Sequence, residues 1–284
     1  MKMLEIMLLK VWHEGGKEAQ KVLDFIESEE REGRKPDVIA LEMSYRTIRE
    51  SLSLENQWKN DFLKREWKDV ELQREMKAFF VTAPAGMRDW VVSLWVGLIK
   101  KKIMIYFLER FTPQEAERLK KKDASETALQ IAAMKKLEGG EIEEFLKLAE
   151  SSHDLIRALI DERDRQMGES LGEMEAQLRR WGLFEEKKVI RVVAVVGVYH
   201  HLEKRTRLKM EKIIPLADIR DGLSSRLSSE VVKGTDFKDI RLLTLMSGAL
   251  ALVKRKKLKL TESQITKMDF EELSQAILKQ VGKN

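Results

Sequence analysis

Apolar positions along the chain change period several times, and the changes mark its elements. Met3–Val11 (MLEIMLLKV) and Val38–Leu41 are short continuous apolar runs, the pattern of strands covered on both faces. Between them, Ala19, Val22, Leu23 and Ile26 recur at helical spacing over Lys17–Arg31. Gly33 ends that helix, and Pro36-Asp37 turn the chain into the second run. This β-α-β start predicts parallel strands with a right-handed crossover. A third buried strand is expected late, in Val189–Val196, where Val192–Val196 is apolar and mostly β-branched. Gly197 follows and is expected to supply backbone angles that other residues resist.

The middle reads as mostly helical. Ser44–Lys77 carries Ile48, Leu52, Leu54, Trp58, Phe62 and Trp67. Ala78–Thr82 reads as a further strand before Pro84–Gly86, and Asp89–Phe111 as a strongly apolar helical run. Thr112-Pro113-Gln114-Glu115 is a helix start, with a Thr cap, Pro at the first helical position and Glu at the third. Ser125–Leu137 reads as another helix closed by Gly139-Gly140, and Glu141–Trp181 as one or two more. Beyond a basic stretch at Glu203–Lys212, helices are expected over Asp218–Val232 and Asp239–Lys256. A last helix is capped by Asp269, with Glu272 three residues on. Residues Leu242, Leu245, Met246, Ala249, Leu250 and Val253 give the 239–256 helix a face that must be covered by its own chain or by a second copy, so a homodimer through these helices is one expectation.

The fold class implied is α/β: a mixed, mainly parallel central sheet surrounded by many helices, with a large helical middle and a helical C-terminal extension. The boundaries expected are 1–202 for an α/β domain with a helical insertion at about 53–180, and 203–284 for the extension. Charged residues are 36% and hydrophobic residues 43% of 284, which suits a globular chain rather than a disordered one. Abundant Lys, Arg and Glu resemble a thermophile's composition. Without cysteine, disulfides, thiolate nucleophiles and cysteine–zinc sites are excluded. The net charge of +5 comes from interleaved acids and bases and gives no strong nucleic-acid signal. Lys100–Lys102, Lys120–Lys122 and Lys254–Lys257 are clusters with the chemistry to touch phosphates, though solvated helix faces are their default reading. The apolar region Trp90–Phe107 is split by three lysines, and neither half reaches the ~20 residues that span a bilayer. The start, MKMLEIMLLKVWHEGG, lacks a signal peptide's uninterrupted apolar core. A soluble cytoplasmic protein is expected, with Trp90, Trp95, Tyr106 and Phe107 in its core.

Candidate chemistry lies where strands end, since ligands of open α/β sheets gather there. Of four histidines, His13 follows the first strand and His200 and His201 follow the late one, while Glu42 ends the second strand. His153 reads as a helix-surface residue. Two imidazoles and a carboxylate are a ligand set for manganese, cobalt or zinc with positions left for water; the competing reading is strand-end residues satisfied by backbone groups.

Three segments, taken in order, resemble the TraB/pheromone-shutdown family, part of a wider group with the Tiki, GumN, ChaN-like and erythromycin-esterase-like proteins. They are Lys35–Leu52 (KPDVIALEMSYRTIRESL), Leu159–Met167 (LIDERDRQM) and Val192–His200 (VVAVVGVYH). The resemblance implies metal-dependent hydrolysis, peptidase- or esterase-like, of a peptide or small-molecule substrate. It assigns His13, Glu42 and His200 as metal ligands, Glu42 and His200 also as catalytic groups, and Arg163 and Asp164 as further catalytic positions. Four departures bear on activity: Lys10 replaces the Gly of the first motif, Ser44 replaces an acidic residue, Arg46 stands one position early, and Thr82-Ala83-Pro84 stands where the family's middle strand often ends in acidic and basic residues. They leave a second function class open, a catalytically degenerate, non-enzymatic interaction module on the same fold.

Overall fold

The computed structural model describes residues 3–13, 15–43, 45–81, 85–182, 186–216 and 223–281. Strand β1 (Met3–Val11) leads into α1 (Gly15–Arg31), β2 (Val38–Leu41), α2 (Ile48–Gln57), a π-helical turn (Trp58–Phe62), α3 (Asp69–Phe79), α4 (Ala85–Lys100) and β3 (Met104–Phe107). Two long helices, α5 (Pro113–Glu138) and α6 (Ile142–Arg180), precede β4 (Val189–Gly197), a 3-10 turn (Leu202–Lys204) and β5 (Met210–Pro215). The remaining helices are α7 (Leu223–Lys233), α8 (Phe237–Lys254), α9 (Glu262–Ile265) and α10 (Phe270–Val281).

The fold is α/β, with a five-stranded sheet in the order β3-β2-β4-β1-β5 and every pairing between these strands parallel. Its central strands are the apolar runs, and Ile6, Leu8, Leu9, Val38–Leu41 and Val192–Val196 are fully buried. At about 25 cal/mol per Å² of apolar surface, such strands are worth most in the middle of a sheet, and the order places them there. Register levels their C-terminal ends: Val195 of β4 faces Leu41 of β2 on one side and Leu9 of β1 on the other.

The chain divides into two compact units, Met1–Ala116 with Arg163–Asp218, and Glu117–Glu162 with Ile219–Asn284. These limits differ from the sequence-based 1–202 and 203–284, because β5 joins the first unit's sheet and residues 117–162 pack with the C-terminal helices. In the second unit Leu137, Phe145 and Leu146 share one core with Leu245, Ala249 and Leu252 of α8 and Leu273 and Ile277 of α10. The face of α8 that suggested a dimer is thus largely covered within the unit.

Several elements differ from the sequence reading. Residues 78–81 are not a strand. The helix runs to Phe79, and Leu72, Met76 and Phe80 are buried at helical spacing while Val81 is exposed; Thr82 lies outside the described residues. The apolar run 89–111 is two elements, α4 and then β3, broken at Lys102 with its left-handed φ of 54°. The Thr112 cap, whose backbone N–H and hydroxyl both donate to Glu115, opens one helix that continues to Glu138, so no new helix begins at Ser125. Residues 210–215 form a strand where only a basic stretch was expected. His153 is buried at 8% exposure rather than on a helix surface, and burial pushes it down to about 4. Asp269 and Glu272 exchange backbone hydrogen bonds as the last cap, and Trp90, Trp95, Tyr106 and Phe107 are core residues.

Candidate active site

Level strand ends bring distant residues together. Glu42 is the first residue after β2, His13 lies two beyond β1 and His200 three beyond β4. The Glu42 backbone N–H donates to Val195 O at 3.1 Å, which extends the ladder by one residue and turns its side chain across the end of β4. Glu42 Oε2 then accepts the Gly197 N–H at 2.7 Å. Gly197 has no left-handed φ among the described glycines. Its role is space: a Cβ there would lie 3.4 Å from both Glu42 Oε2 and the His200 ring. The His200 N–H donates to Gly197 O at 3.0 Å, a tight turn that folds the imidazole back toward Glu42.

Helix α6 supplies the other groups. Asp164 Oδ1 lies 2.5 Å from His200 Nδ1, and Asp164 Oδ2 accepts the His201 N–H at 2.8 Å. The carboxyl group therefore fixes both the loop and the ring. His200 Nε2 faces Glu42 Oε1 at 3.1 Å. Arg163 donates to the same Glu42 oxygen at 2.5 Å, and through Nε to Glu109 Oε1 at 2.5 Å. Glu109 Oε2 accepts the Tyr45 N–H at 2.6 Å. His13 Nε2 is 4.0 Å from Glu42 Oε2, too far for a hydrogen bond. This nitrogen is buried with no partner among the described residues, and the His13 ring lies 4.5 Å from that of Trp90.

The charges follow from this packing. Burial alone would raise Glu42, but His200, Arg163 and His13 hold it well below the usual carboxylate range. Burial alone would lower His200, yet Glu42 and Asp164 outweigh it and push the imidazole up to about 9. His13 moves the other way, lowered chiefly by burial. Glu109 is raised by burial against the pull of Arg163. Two imidazoles a few ångströms from one carboxylate are thus driven apart, one toward the cation and one toward the neutral base. Opposed titration of neighbouring groups is the pattern of acid–base assignment at functional sites.

All five residues singled out from sequence, His13, Glu42, Arg163, Asp164 and His200, converge. Sequence reasoning missed Glu109, which follows β3 and is invisible when β3 is read as helix; an acidic residue just past the apolar run 103–108 was its signal. His201 is accessory: its Nδ1 lies 3.3 Å from Glu203, which also binds Lys10 at 3.1 Å. Lys10, the departure in the first motif, is thereby tied to the β4 loop. The Ser44 departure lies outside the described residues, as do Thr82, Ala83 and Pro84.

The chain matches no protein-family model, no curated protein and no solved structure. The donor set His13, His200 and Glu42 has the chemistry of a metal site, and Asp164 behind His200 is the usual outer partner of a ligating imidazole. Its arrangement is different. Both Glu42 oxygens are bonded to Arg163, His200 and Gly197, and among the described residues no group of three His, Asp or Glu side chains is placed to hold a metal ion. As it stands the cluster does not fit a divalent cation, because the Arg163 guanidinium occupies the carboxylate such a cation would need.

Proposed function

We propose that this cluster is a hydrolytic site acting on a carbonyl substrate, peptidase- or esterase-like, on the pattern of the TraB/Tiki group. The observation that carries the reading is His13: a half-buried imidazole, lowered chiefly by desolvation, whose buried Nε2 has no partner among the described residues in a cluster where the other polar groups are bonded. A structural histidine in a core is normally hydrogen-bonded. A free lone pair beside an arginine and an imidazolium suits a general base instead.

In this reading His13 Nε2 takes a proton from the attacking water. His200, held cationic between Asp164 and Glu42, returns a proton to the leaving group. Arg163 supplies positive charge for the oxyanion that develops at the carbonyl. Glu42 positions His200 and Arg163, and Asp164 fixes the His200 tautomer. The metal-dependent version implied by the family resemblance requires Arg163 to release Glu42.

A panel of chromogenic esters and peptides tests the proposal. Hydrolysis by the wild type is expected to fall by about 10²–10⁴-fold in His13→Ala, with a similar loss in Glu42→Gln and the fold intact by circular dichroism. Chelation is expected to leave the rate unchanged; loss on chelation with recovery on adding manganese, cobalt or zinc establishes the metal-dependent version. Hydrolysis that persists equally in all variants would sink the assignment and favour the non-enzymatic module.

A further inference from the structure

A second concentration of chemistry lies at the opposite end of the same sheet. The starts of β2, β3 and β4 border a cleft of about 550 Å³ in the first unit, lined by Lys35, Asp37, Lys59, Lys102, Lys187 and Arg191 among others. The volume lies within the range of small-molecule sites, roughly 300–1,000 Å³. These five cations come from four separate stretches of the chain, so the fold and not a local run collects them.

Their partners divide them into two classes. Lys187 pairs with Asp37, whose other oxygen accepts the Arg191 N–H at 3.0 Å. The Arg191 guanidinium pairs with Glu5 at 3.1 Å, and Lys35 with Glu30 at 3.3 Å. These charges are compensated and build the wall. Lys59 and Lys102 differ. Lys59 Nζ donates to Trp181 O at 2.7 Å, and Lys102 Nζ donates to Leu63 O at 2.7 Å and Arg65 O at 3.0 Å. Carbonyl oxygens fix an ammonium in place without cancelling its charge, and among the described residues neither lysine has a carboxylate partner. Each lysine also keeps at least one N–H to give, since an ammonium has three.

The backbone that presents these two lysines is unusual at both positions. Lys59 stands on the π-helical turn Trp58–Phe62, and π-turns concentrate at functional sites. Lys102 holds a left-handed φ of 54°, a conformation that is unfavourable for a residue with a Cβ. Beside them the cleft offers Leu63, Met104 and Pro36 as apolar surface.

We propose that this cleft binds a small organic phosphate: a dianionic phosphoryl group between Lys59 and Lys102, its carbon body against Leu63 and Met104. Of the sequence cluster Lys100–Lys102, only Lys102 takes part, since Lys100 pairs with Asp69 and Lys101 with Glu27 and Glu30. The site is independent of the hydrolytic cluster and stands whether or not that reading does.

Calorimetric titration of the full chain with AMP, ribose 5-phosphate and inorganic phosphate tests it, with adenosine as the uncharged control. Saturable binding of at least one phosphate is expected, absent for adenosine and weakened by salt. Lys59→Met should weaken it by about tenfold or more at an unchanged melting temperature. Lys102→Met should weaken it too, with some loss of stability, because it also removes the bonds to Leu63 and Arg65. Glu42→Gln should bind as the wild type does. The proposal is overturned if none of the three phosphates saturates up to about 10 mM, if Lys59→Met binds as well as the wild type, or if adenosine binds as AMP does.

Discussion

Arg163 joins two buried carboxyl groups, Glu42 and Glu109, and neither has another arginine or lysine as an ion-pair partner among the described residues. Removing one member of a buried ionic group leaves the others uncompensated, at roughly 3–5 kcal/mol. Arg163→Met should therefore lose about that much stability in urea unfolding, and Arg163→Lys should recover little, because an ammonium cannot reproduce the planar fork. His13 predicts the opposite sign. Its Nε2 is a desolvated polar atom with no partner among the described residues, so His13→Phe, which keeps a ring against Trp90, should raise stability by about 1 kcal/mol while abolishing the proposed hydrolysis; a fall in melting temperature would mark His13 as structural. The pH profile follows from the same groups. His200 titrates near 9 when folded against 6.5 otherwise, so its contribution is complete below 6.5 and is lost as pH rises toward 9; the difference corresponds to something on the order of 3 kcal/mol. Glu42, lowered by its partners, contributes above 4.5 and loses that contribution as pH falls below it. His13, held neutral, loses stability as pH falls through 6.5. Unfolding free energy measured against pH should show an alkaline flank between about 6.5 and 9 that is missing in His200→Ala.

Helix α6 orients the site through a close approach. A Cβ on Gly168 would lie 2.6 Å from the backbone oxygen of Arg205, on the segment that follows His200. Asp164 is one helical turn before Gly168, so that contact sets how near Asp164 comes to His200. Gly168→Ala should destabilise the protein by about 1–3 kcal/mol and also lower hydrolysis. Four residues on, Gly172 has nothing within 4 Å of such a Cβ, and Gly172→Ala should stabilise by about 0.5–1 kcal/mol. Thermal melts of the two variants read the contrast directly. Elements were legible in the sequence where punctuation was clear. β1 and β2 are bounded by Gly15-Gly16, Gly33 and Pro36-Asp37, and the runs read from sequence coincide with the strands. β3 was not legible, because Trp90–Phe107 is apolar throughout with only lysines at the break, and a short buried strand cannot be told from a buried helix by periodicity. β5 was hidden for the converse reason: as an edge strand with Glu211, Lys212 and Ile213 exposed, it has no buried face to read. Three site residues could be read as strand-end positions. Arg163 and Asp164 came only from the resemblance, since a helix rich in Arg, Asp and Glu does not reveal which residues turn inward.

On the scale of the molecule, the second unit is built from two stretches, 117–162 and 219–284, with the last two strands of the sheet made between them. A chain ended after Asp218 keeps all five strands and every site residue but removes α7–α10, uncovering Leu137, Phe145 and Leu146. It should bind a hydrophobic dye and self-associate; a monomer that binds none would show that the second core does not need those helices. Ending the chain after Arg205 is a different experiment, because it also strips β5 from β1. The pairing of Met3 with Val189 carries a consequence for synthesis. Strand β1 leaves the ribosome well before its partners, which lie roughly 190 residues downstream. At about 5–20 residues per second, it waits about 10–40 s for β4. During that interval β2 and β3 can pair, but MLEIMLLKV has neither neighbour, and the nascent chain carries an uncovered nine-residue apolar segment. Such a segment is what holdase chaperones recognise. The cluster around Glu42, closed by His200, forms only when that wait ends, so a chain released before β4 lacks it.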